Sequence, residues 1–254
     1  MQHGQVEDQR QNRFTNANKE LDTFIYHLSH HLKAPLSSIL GLTNLALNNA
    51  PKTTDDFITY FSMIRQSALS MEHKLSELLH YSKNALGEVN VEKIDLSKIL
   101  HEAFNDMKYL PGHEFIEFHV SVNDDQPFFS DAYRISAILE NLITNAIKYS
   151  DRNKEKSFIH IKAQIIPEQV LITFHDNGIG IADDQLDKVF NMFYRATGTS
   201  SGSGLGLYLV GEMMNTLKGN IEISSTFGKE THITLTIPNN PPRMEVSLND
   251  HLDE

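Results

Sequence analysis

The chain has 254 residues, which is enough for one large domain or two ordinary ones, and 40% of them are hydrophobic, which is sufficient for a core. Acidic side chains outnumber basic ones by 33 to 22, and a net charge of -11 disfavours nucleic acid as a partner because a phosphate backbone would repel it. The absence of cysteine excludes a disulfide, a thiolate metal site and a cysteine nucleophile. No apolar run approaches the roughly 20 residues that cross a bilayer, so we predict a cytoplasmic protein with no membrane span.

The N-terminal third predicts a helical hairpin. Residues 1–20 are a polar leader, which we interpret as a helix continuing from an upstream sensor domain. From Leu21 to Asn48 the apolar residues recur at helical spacing, and a second helix begins at Thr53, where Thr and Asp side chains suit an N-cap. We predict an antiparallel hairpin over residues 21–83. Because a lone hairpin buries little of its wide apolar stripe, two copies should form a four-helix bundle and make the protein a homodimer.

The remainder of the chain predicts an α+β fold class. Residues 84–94 form a short Gly-containing linker that we expect to act as a hinge. Over residues 95–238, helical stretches at 96–108, 131–149 and 204–218 alternate with the strand-like runs FIEFHV, FIHIKAQII, VLITFHD, NIEISST and THITLTI. This alternation predicts an α/β sandwich with helices on one face of a mixed, largely antiparallel sheet. Residues 239–254 are predicted to be a disordered tail.

A histidine on the first predicted helix is presented to solvent. On a helical wheel, His30 lies about 200° from the apolar stripe centred on Leu28, whereas His31 lies about 60° from it and borders the core. Pro35 lacks the N–H that would bond the carbonyl of His31, so the helix should bend one turn after the histidines. An exposed helix histidine is usually ordinary surface, and Pro35 can simply adjust helix packing, so this helix alone does not decide between surface and reaction site.

Two motifs further along the chain have the composition of a nucleotide site. The run ENLITNAIKYS, residues 140–150, places carboxamides and an ammonium on one helix face, and such oxygens suit Mg²⁺ while lysine suits phosphate. Polar residues on one face of a helix are also a usual solvated side. The run DNGIGI, Asp176 to Ile181, follows a strand and is either a tight turn or a place where backbone approaches a planar ring.

A third motif combines two aromatics, a Ser/Thr/Gly-rich stretch from Thr197 to Ser203, and a helix that starts near Gly204. The Ser/Thr/Gly-rich stretch is either a plain linker or a mobile lid. The free N–H groups of a glycine-rich helix N-terminus suit phosphates. No Gly-Lys-Ser/Thr follows, so the spacing is not that of a Walker loop.

Taken in order, these motifs resemble those of sensor histidine kinases. The run SHHLKAPL, Ser29 to Leu36, resembles their phosphoacceptor box, in which a histidine precedes a proline by five residues, and this register selects His30. In chain order, ENLITNAIKYS resembles the N box of the Bergerat-type ATPase fold, DNGIGI its G1 box, the aromatics around Phe193 its F box, and the glycines from Gly202 to Gly206 its G2 box. The resemblance implies a transmitter that autophosphorylates His30 from Mg-ATP and passes the phosphoryl group to a response regulator aspartate.

The resemblance also assigns roles to individual residues. Asn145 and Asn141 hold Mg²⁺, Lys148 and Tyr149 meet phosphate or ribose, and Asp176 accepts from the adenine amine. The remaining ATP-binding residues that it implies line the base, belong to the lid or admit the phosphates: Gly178, Gly180, Ile181, Phe193, Arg195, Gly202, Gly204, Leu205 and Gly206.

Two positions depart from the family pattern. Where the family has Asp or Glu directly after the phosphoacceptor, this chain has His31, and a neutral imidazole accepts a hydrogen bond but does not offset positive charge growing on His30. Ala34 occupies the position that carries Thr or Asn in family members with phosphatase activity. The alternative hypothesis is therefore a nucleotide-binding pseudokinase scaffold with little or no autophosphorylation.

Overall fold

The computed structural model describes residues 32–48, 53–196 and 203–241. The chain divides into two compact units, Met1–Ser82 and Lys83–Glu254. The first unit is helical in its described part, and the second combines helices with a sheet. The predicted α+β fold class, a helical N-terminal region followed by a domain of helices and a sheet, is confirmed. His30, His31 and the predicted leader lie outside the described residues.

Helix α1 covers residues 32–48, and helix α2 covers Thr54–Leu86. The predicted start of α2 is confirmed by a reciprocal cap: Asp56 N–H donates to Thr53 Oγ1 at 3.2 Å, and Thr53 N–H donates to Asp56 Oδ2 at 3.1 Å. Pro35, seven residues and therefore about two helical turns after Leu28, is buried. Many other large apolar side chains of the two helices are exposed within a single chain: Leu36, Leu40, Leu45, Leu47, Phe57, Ile58, Phe61, Met63, Leu75 and Leu79.

The second unit is organised around a five-stranded sheet. Its strands are β2 (Ile116–Asn123), β4 (Ser157–Ile165), β5 (Gln169–Asp176), β6 (Asn220–Thr226) and β7 (Glu230–Pro238), in the order β2-β4-β5-β7-β6. The β2–β4 pair is parallel, and the three other pairs are antiparallel. Strands β1 (Val91–Ile94) and β3 (Phe128–Asp131) form a separate two-stranded sheet, which the sequence analysis did not predict.

Helices α3 (Leu96–Asp106), α4 (Ala132–Lys148) and α6 (Gly206–Thr216) build the core with the sheet, and a short helix α5 covers Asp183–Leu186. Two 3₁₀ turns, Met107–Tyr109 and His113–Phe115, connect α3 to β2. Alternation along the strands places one set of side chains in this core and the next set on the opposite face of the sheet. Residues that share the core include Ile135, Ile138, Ile143, Ile159, Ile161, Ile172 and Leu235, each at most 1% exposed.

A buried arginine fixes the segment that we predicted to be a hinge. Arg134, on the first turn of α4, is 2% exposed and donates to Asn84 Oδ1 at 2.9 Å, to Gly87 O at 2.7 Å and to Glu88 O at 3.2 Å. It also donates to the carboxylate of Asp131 at 2.5 Å, and that carboxylate caps α4 through Arg134 N–H. Residues 84–88 are therefore held at the end of α2 by hydrogen bonds to one guanidinium.

The first two residues of the predicted tail, 239 and 240, are hydrogen-bonded to the rest of the second unit. Asn239, the first residue of the predicted tail, is 8% exposed, accepts from Phe129 N–H at 2.9 Å and donates to Pro127 O at 2.9 Å. Asn240 N–H donates to Phe129 O at 3.1 Å. Residues 242–254 lie outside the described residues. Within the part of the chain that the structure describes, no helix has the length and apolar character needed to cross a bilayer.

Candidate nucleotide-binding site

Helix α4 carries the two predicted magnesium ligands to the beginning of α6. The Nδ2 of buried Asn141 donates to Ala137 O at 2.8 Å, one turn back along the helix. Its Oδ1 lies 3.0 Å from the position that a Cβ on Gly206 would occupy, and the carboxamide of Asn145 lies 3.6–3.8 Å from that same point. The first residue of α6 therefore borders both carboxamides, and its lack of a side chain leaves space between them and the helix N-terminus.

The C-terminal end of α4 meets the end of β5. Ile179 N–H donates to Tyr149 O at 2.9 Å, and Gly178 N–H donates to Asp176 Oδ1 at 2.9 Å. A Cβ on Gly178 would lie 2.5 Å from Tyr149 O and 2.8 Å from Asp176 Oδ1, so only glycine allows this close approach. Lys148, the last residue of α4, is exposed. The N-box and G1-box residues are thus neighbours in space.

Asp176 has an unusual electrostatic environment. Burial raises the pKa of its carboxyl from 3.8 to about 6, because desolvation outweighs the hydrogen bond from Gly178 and the attraction of His175 and Lys154. A half-buried carboxylate of this kind gains from an additional hydrogen-bond donor. The exocyclic amine of a nucleobase is such a donor, so the chemistry of the site fits the predicted role.

The loop after Asp176 is anchored on the β6–β7 turn. Gly180 has φ +64°, and a Cβ there would lie 2.2 Å from Thr226 O, so the position requires glycine. Ile181 N–H donates to Ser225 Oγ at 2.8 Å, and Gly228 N–H donates to Ile179 O at 2.7 Å. These bonds give the loop a fixed path beside β5.

Two residues that flank the predicted lid lie close together. Phe193 N–H donates to Gly204 O at 3.0 Å, so the backbone of this F-box residue is bonded to the backbone of the G2 box. Leu205 is 1% exposed and anchors the beginning of α6 in the core, whereas Arg195 is exposed. Gly202 and the rest of residues 197–202 lie outside the described residues.

Two residues that the sequence motifs did not indicate hold the loop after Asp176, the G1 loop, in place by hydrogen bonds. The Nζ of Lys154 donates to Asn177 O at 2.5 Å, to Gly178 O at 3.1 Å and to Lys229 O at 2.7 Å. The side chain of Asn177 accepts from Phe158 N–H and donates to Lys156 O, each at 2.8 Å. The Asn-Gly pair gave a turn signal for Asn177, but Lys154 lies in a polar loop whose composition gives no such signal.

Comparisons with known proteins identify two domain families in the chain. Residues 130–241 match the family described as histidine kinase-, DNA gyrase B-, and HSP90-like ATPase, and residues 20–87 match the His Kinase A (phospho-acceptor) domain. The methanogenesis regulatory histidine kinase FilI of Methanothrix harundinacea (strain 6Ac) is 31% identical over 224 residues, which are 87% of this chain and 25% of that protein. The sensor protein kinase WalK of Staphylococcus aureus is 30% identical over 231 residues, which are 87% of this chain and 54% of that protein.

The fold has a counterpart among solved structures. The Acinetobacter baumannii histidine kinase AdeS has a TM-score of 0.65 and 22% identity, covering 84% of this chain and 98% of that one. The chain spans about a quarter to about half the length of the two curated relatives. With both domain families matched in order and the ATPase boxes assembled around α4, the chain belongs to the histidine kinases, as a transmitter region with a phosphoacceptor domain followed by a Bergerat-type ATP-binding domain.

Proposed function

We propose that this chain autophosphorylates on His30 with Mg-ATP and transfers the phosphoryl group to an aspartate in the receiver domain of a response regulator. The observation that carries the proposal is the meeting of the Asn141 and Asn145 carboxamides with the N-terminus of α6 at Gly206. Amide oxygens bind Mg²⁺, and free N–H groups at a helix start bind phosphate. A bound Mg²⁺ supplies charge neutralisation at the phosphates.

The residues of the pocket have complementary tasks. Asp176 accepts a hydrogen bond from the adenine amine, and Gly178 lets the backbone approach the base. Lys154 and Asn177 hold the loop that presents both residues, through the bonds described above. Exposed Lys148 brings a cation to the phosphate or ribose end of the pocket. Positioning and charge stabilisation are the main sources of rate in phosphoryl transfer, so this division of tasks suits the reaction.

In the transfer step an imidazole nitrogen of His30 forms a bond to the γ-phosphorus. The bond from that phosphorus to the β–γ bridging oxygen breaks, and ADP leaves with the electron pair. The other ring nitrogen then releases its N–H proton to solvent, and His31, the next residue in the sequence, accepts a hydrogen bond from that N–H before the proton leaves. In the second transfer a carboxylate oxygen of the receiver aspartate forms a bond to the same phosphorus, the phosphorus–nitrogen bond breaks, and the imidazole of His30 leaves with the electron pair and regains a proton from solvent.

Homodimerisation through α1 and α2 is part of the proposal. Each helix exposes large apolar side chains within one chain, including Leu40 at 56% and Phe61 at 66%. A second copy of the chain would cover such a surface in a four-helix bundle. The transfer to His30 then occurs within one chain or between the two copies.

The experiment is labelling of the full chain with γ-labelled Mg-ATP. We expect acid-labile, alkali-stable phosphate in the wild type and in the control His27→Gln, which removes a nearby histidine of the same predicted helix, but not in His30→Gln. Full labelling of His30→Gln would refute the acceptor assignment. ATP binding without labelling of the wild type would instead support the scaffold alternative that His31 raises.

A further inference from the structure

Histidines form a row across the face of the sheet opposite the core. His119, His160, His175 and His232 occupy directly paired positions on β2, β4, β5 and β7. Their rings touch in sequence: the ring centroids are 5.0 Å apart for His119 and His160, 6.2 Å for His160 and His175, and 3.9 Å for His175 and His232. Paired positions on adjacent strands share a face, which explains why four residues far apart in sequence become neighbours.

A carboxylate completes a cluster at one end of this row. Glu230 lies two residues before His232 on β7, so the two side chains point to the same face. The Nε2 of His175 is 3.0 Å from Glu230 Oε2, and the Nε2 of His232 is 3.6 Å from that same oxygen. One ligand atom from each of the three residues lies within 4.8 Å of the others.

We propose that His175, Glu230 and His232 form a binding site for a borderline transition-metal ion of the Zn²⁺ or Ni²⁺ class. Two imidazole nitrogens and one carboxylate oxygen are a ligand set that such ions take, and Mg²⁺ prefers oxygen ligands alone. The site is separate from the Mg-ATP pocket in both position and ligand chemistry. It accounts for a histidine pair and a carboxylate that nucleotide binding does not use.

Coordination requires one local adjustment. The rings of His175 and His232 are stacked with an interplanar angle of 16°, and their lone pairs must turn toward a common point to give metal–nitrogen bonds of about 2.0–2.1 Å. The side chains have room for this turn, because they are 31% and 46% exposed. Water fills the remaining positions of the ion.

The metal site lies on the opposite face of the sheet from Asp176, the proposed adenine-binding residue at the end of β5. His175 and Asp176 are consecutive residues of this strand, and consecutive side chains point to opposite faces. Glu230 is also tied to the G1 loop, because Ser225 Oγ donates to the Glu230 carbonyl and accepts from Ile181 N–H. The metal site and the G1 loop are therefore connected through Ser225, although no residue is a ligand in both sites.

The test is a calorimetric titration of the full chain with ZnCl₂. The double variant is His175→Gln/His232→Gln, and the control is His101→Gln, which changes an exposed histidine on α3. We expect the wild type and the control to bind one more equivalent of Zn²⁺ than the double variant, or to bind the same number of equivalents with at least tenfold higher affinity for one of them. An excess of Mg²⁺ should not displace the Zn²⁺. Unchanged stoichiometry and affinity in the double variant, or displacement by Mg²⁺, would overturn the proposal.

A second measurement needs no variant and so does not depend on how the substitutions fold. In the wild type, substoichiometric paramagnetic Ni²⁺ should broaden the imidazole nuclear magnetic resonance signals of His175 and His232 before that of His101. Broadening of all histidine signals alike would contradict a defined site. Both results are independent of phosphorylation, so the metal proposal and the kinase proposal can fail separately.

Discussion

Replacing Asp176 by asparagine should stabilise the protein without nucleotide while weakening its binding of Mg-ATP. Asparagine keeps an oxygen that accepts from Gly178 N–H and removes the charge whose burial raises the pKa of the carboxyl. It also places an amide donor against the adenine amine. The substitution therefore separates the stability of the fold from the function of the pocket.

The magnitude follows from linkage. A pKa raised from 3.8 to about 6 corresponds to roughly 3 kcal/mol of folding free energy at about 1.4 kcal/mol per unit, and solvent reaching the half-buried carboxylate lowers this to about 1–3 kcal/mol. Since the pKa is higher in the folded state, the stability that protonated Asp176 contributes is present below its unfolded pKa. This stability is lost as pH rises through about 6.

The assay is urea denaturation of the wild type, Asp176→Asn and the control Asp124→Asn, which changes an exposed aspartate between β2 and β3. The gain in unfolding free energy of Asp176→Asn over the wild type should grow by about 1 kcal/mol between pH 5 and pH 7.5. Mg-ATP affinity of the same variant should fall about tenfold or more, as expected for a lost hydrogen bond to a charged group. An equal or smaller gain at pH 7.5 than at pH 5 would refute the reasoning.

Three further substitutions test other parts of the account. Gly206→Ala should weaken Mg-ATP binding measured by calorimetry, because its Cβ would lie 3.0 Å from Asn141 Oδ1, whereas the control Gly211→Ala meets its nearest atom at 3.8 Å and should bind normally. Arg134→Met should lower the unfolding free energy by about 3–5 kcal/mol in urea, because it leaves the buried Asp131 carboxylate without its cation; a loss below about 1 kcal/mol would contradict this. His31→Glu should raise phosphate labelling at least tenfold, since about 1.4 kcal/mol of barrier corresponds to one decade, and unchanged labelling would show that this position does not limit the rate.

Much of the second unit could be predicted from the sequence because its pattern is strongly periodic. The period-2 alternation in FIHIKAQII and THITLTI located β4 and β7, and the capping chemistry at Thr53 located the start of α2. The glycine and asparagine motifs indicated the ends of α4, β5 and α6 that line the proposed pocket. These signals are local in the sequence, so they predict the elements without knowledge of the tertiary structure.

The features that were missed depend on contacts between distant segments. Lys154 bonds Lys229 O only because the β6–β7 turn lies beside the G1 loop. Arg134 bonds Asn84 only because residues 84–88 lie beside the first turn of α4. The histidine row needs the strand order and register, which place His175 opposite His232 although the two are far apart in the sequence. The four-residue strands β1 and β3 were too short to show a period.

The central claim is that the pocket around α4 binds Mg-ATP, and calorimetric titration of the full chain with ATP tests it most directly. The account predicts a saturable heat of binding with magnesium present, reduced in Asn145→Ala because that carboxamide is a proposed metal ligand. Absence of any binding heat at millimolar Mg-ATP would contradict the account.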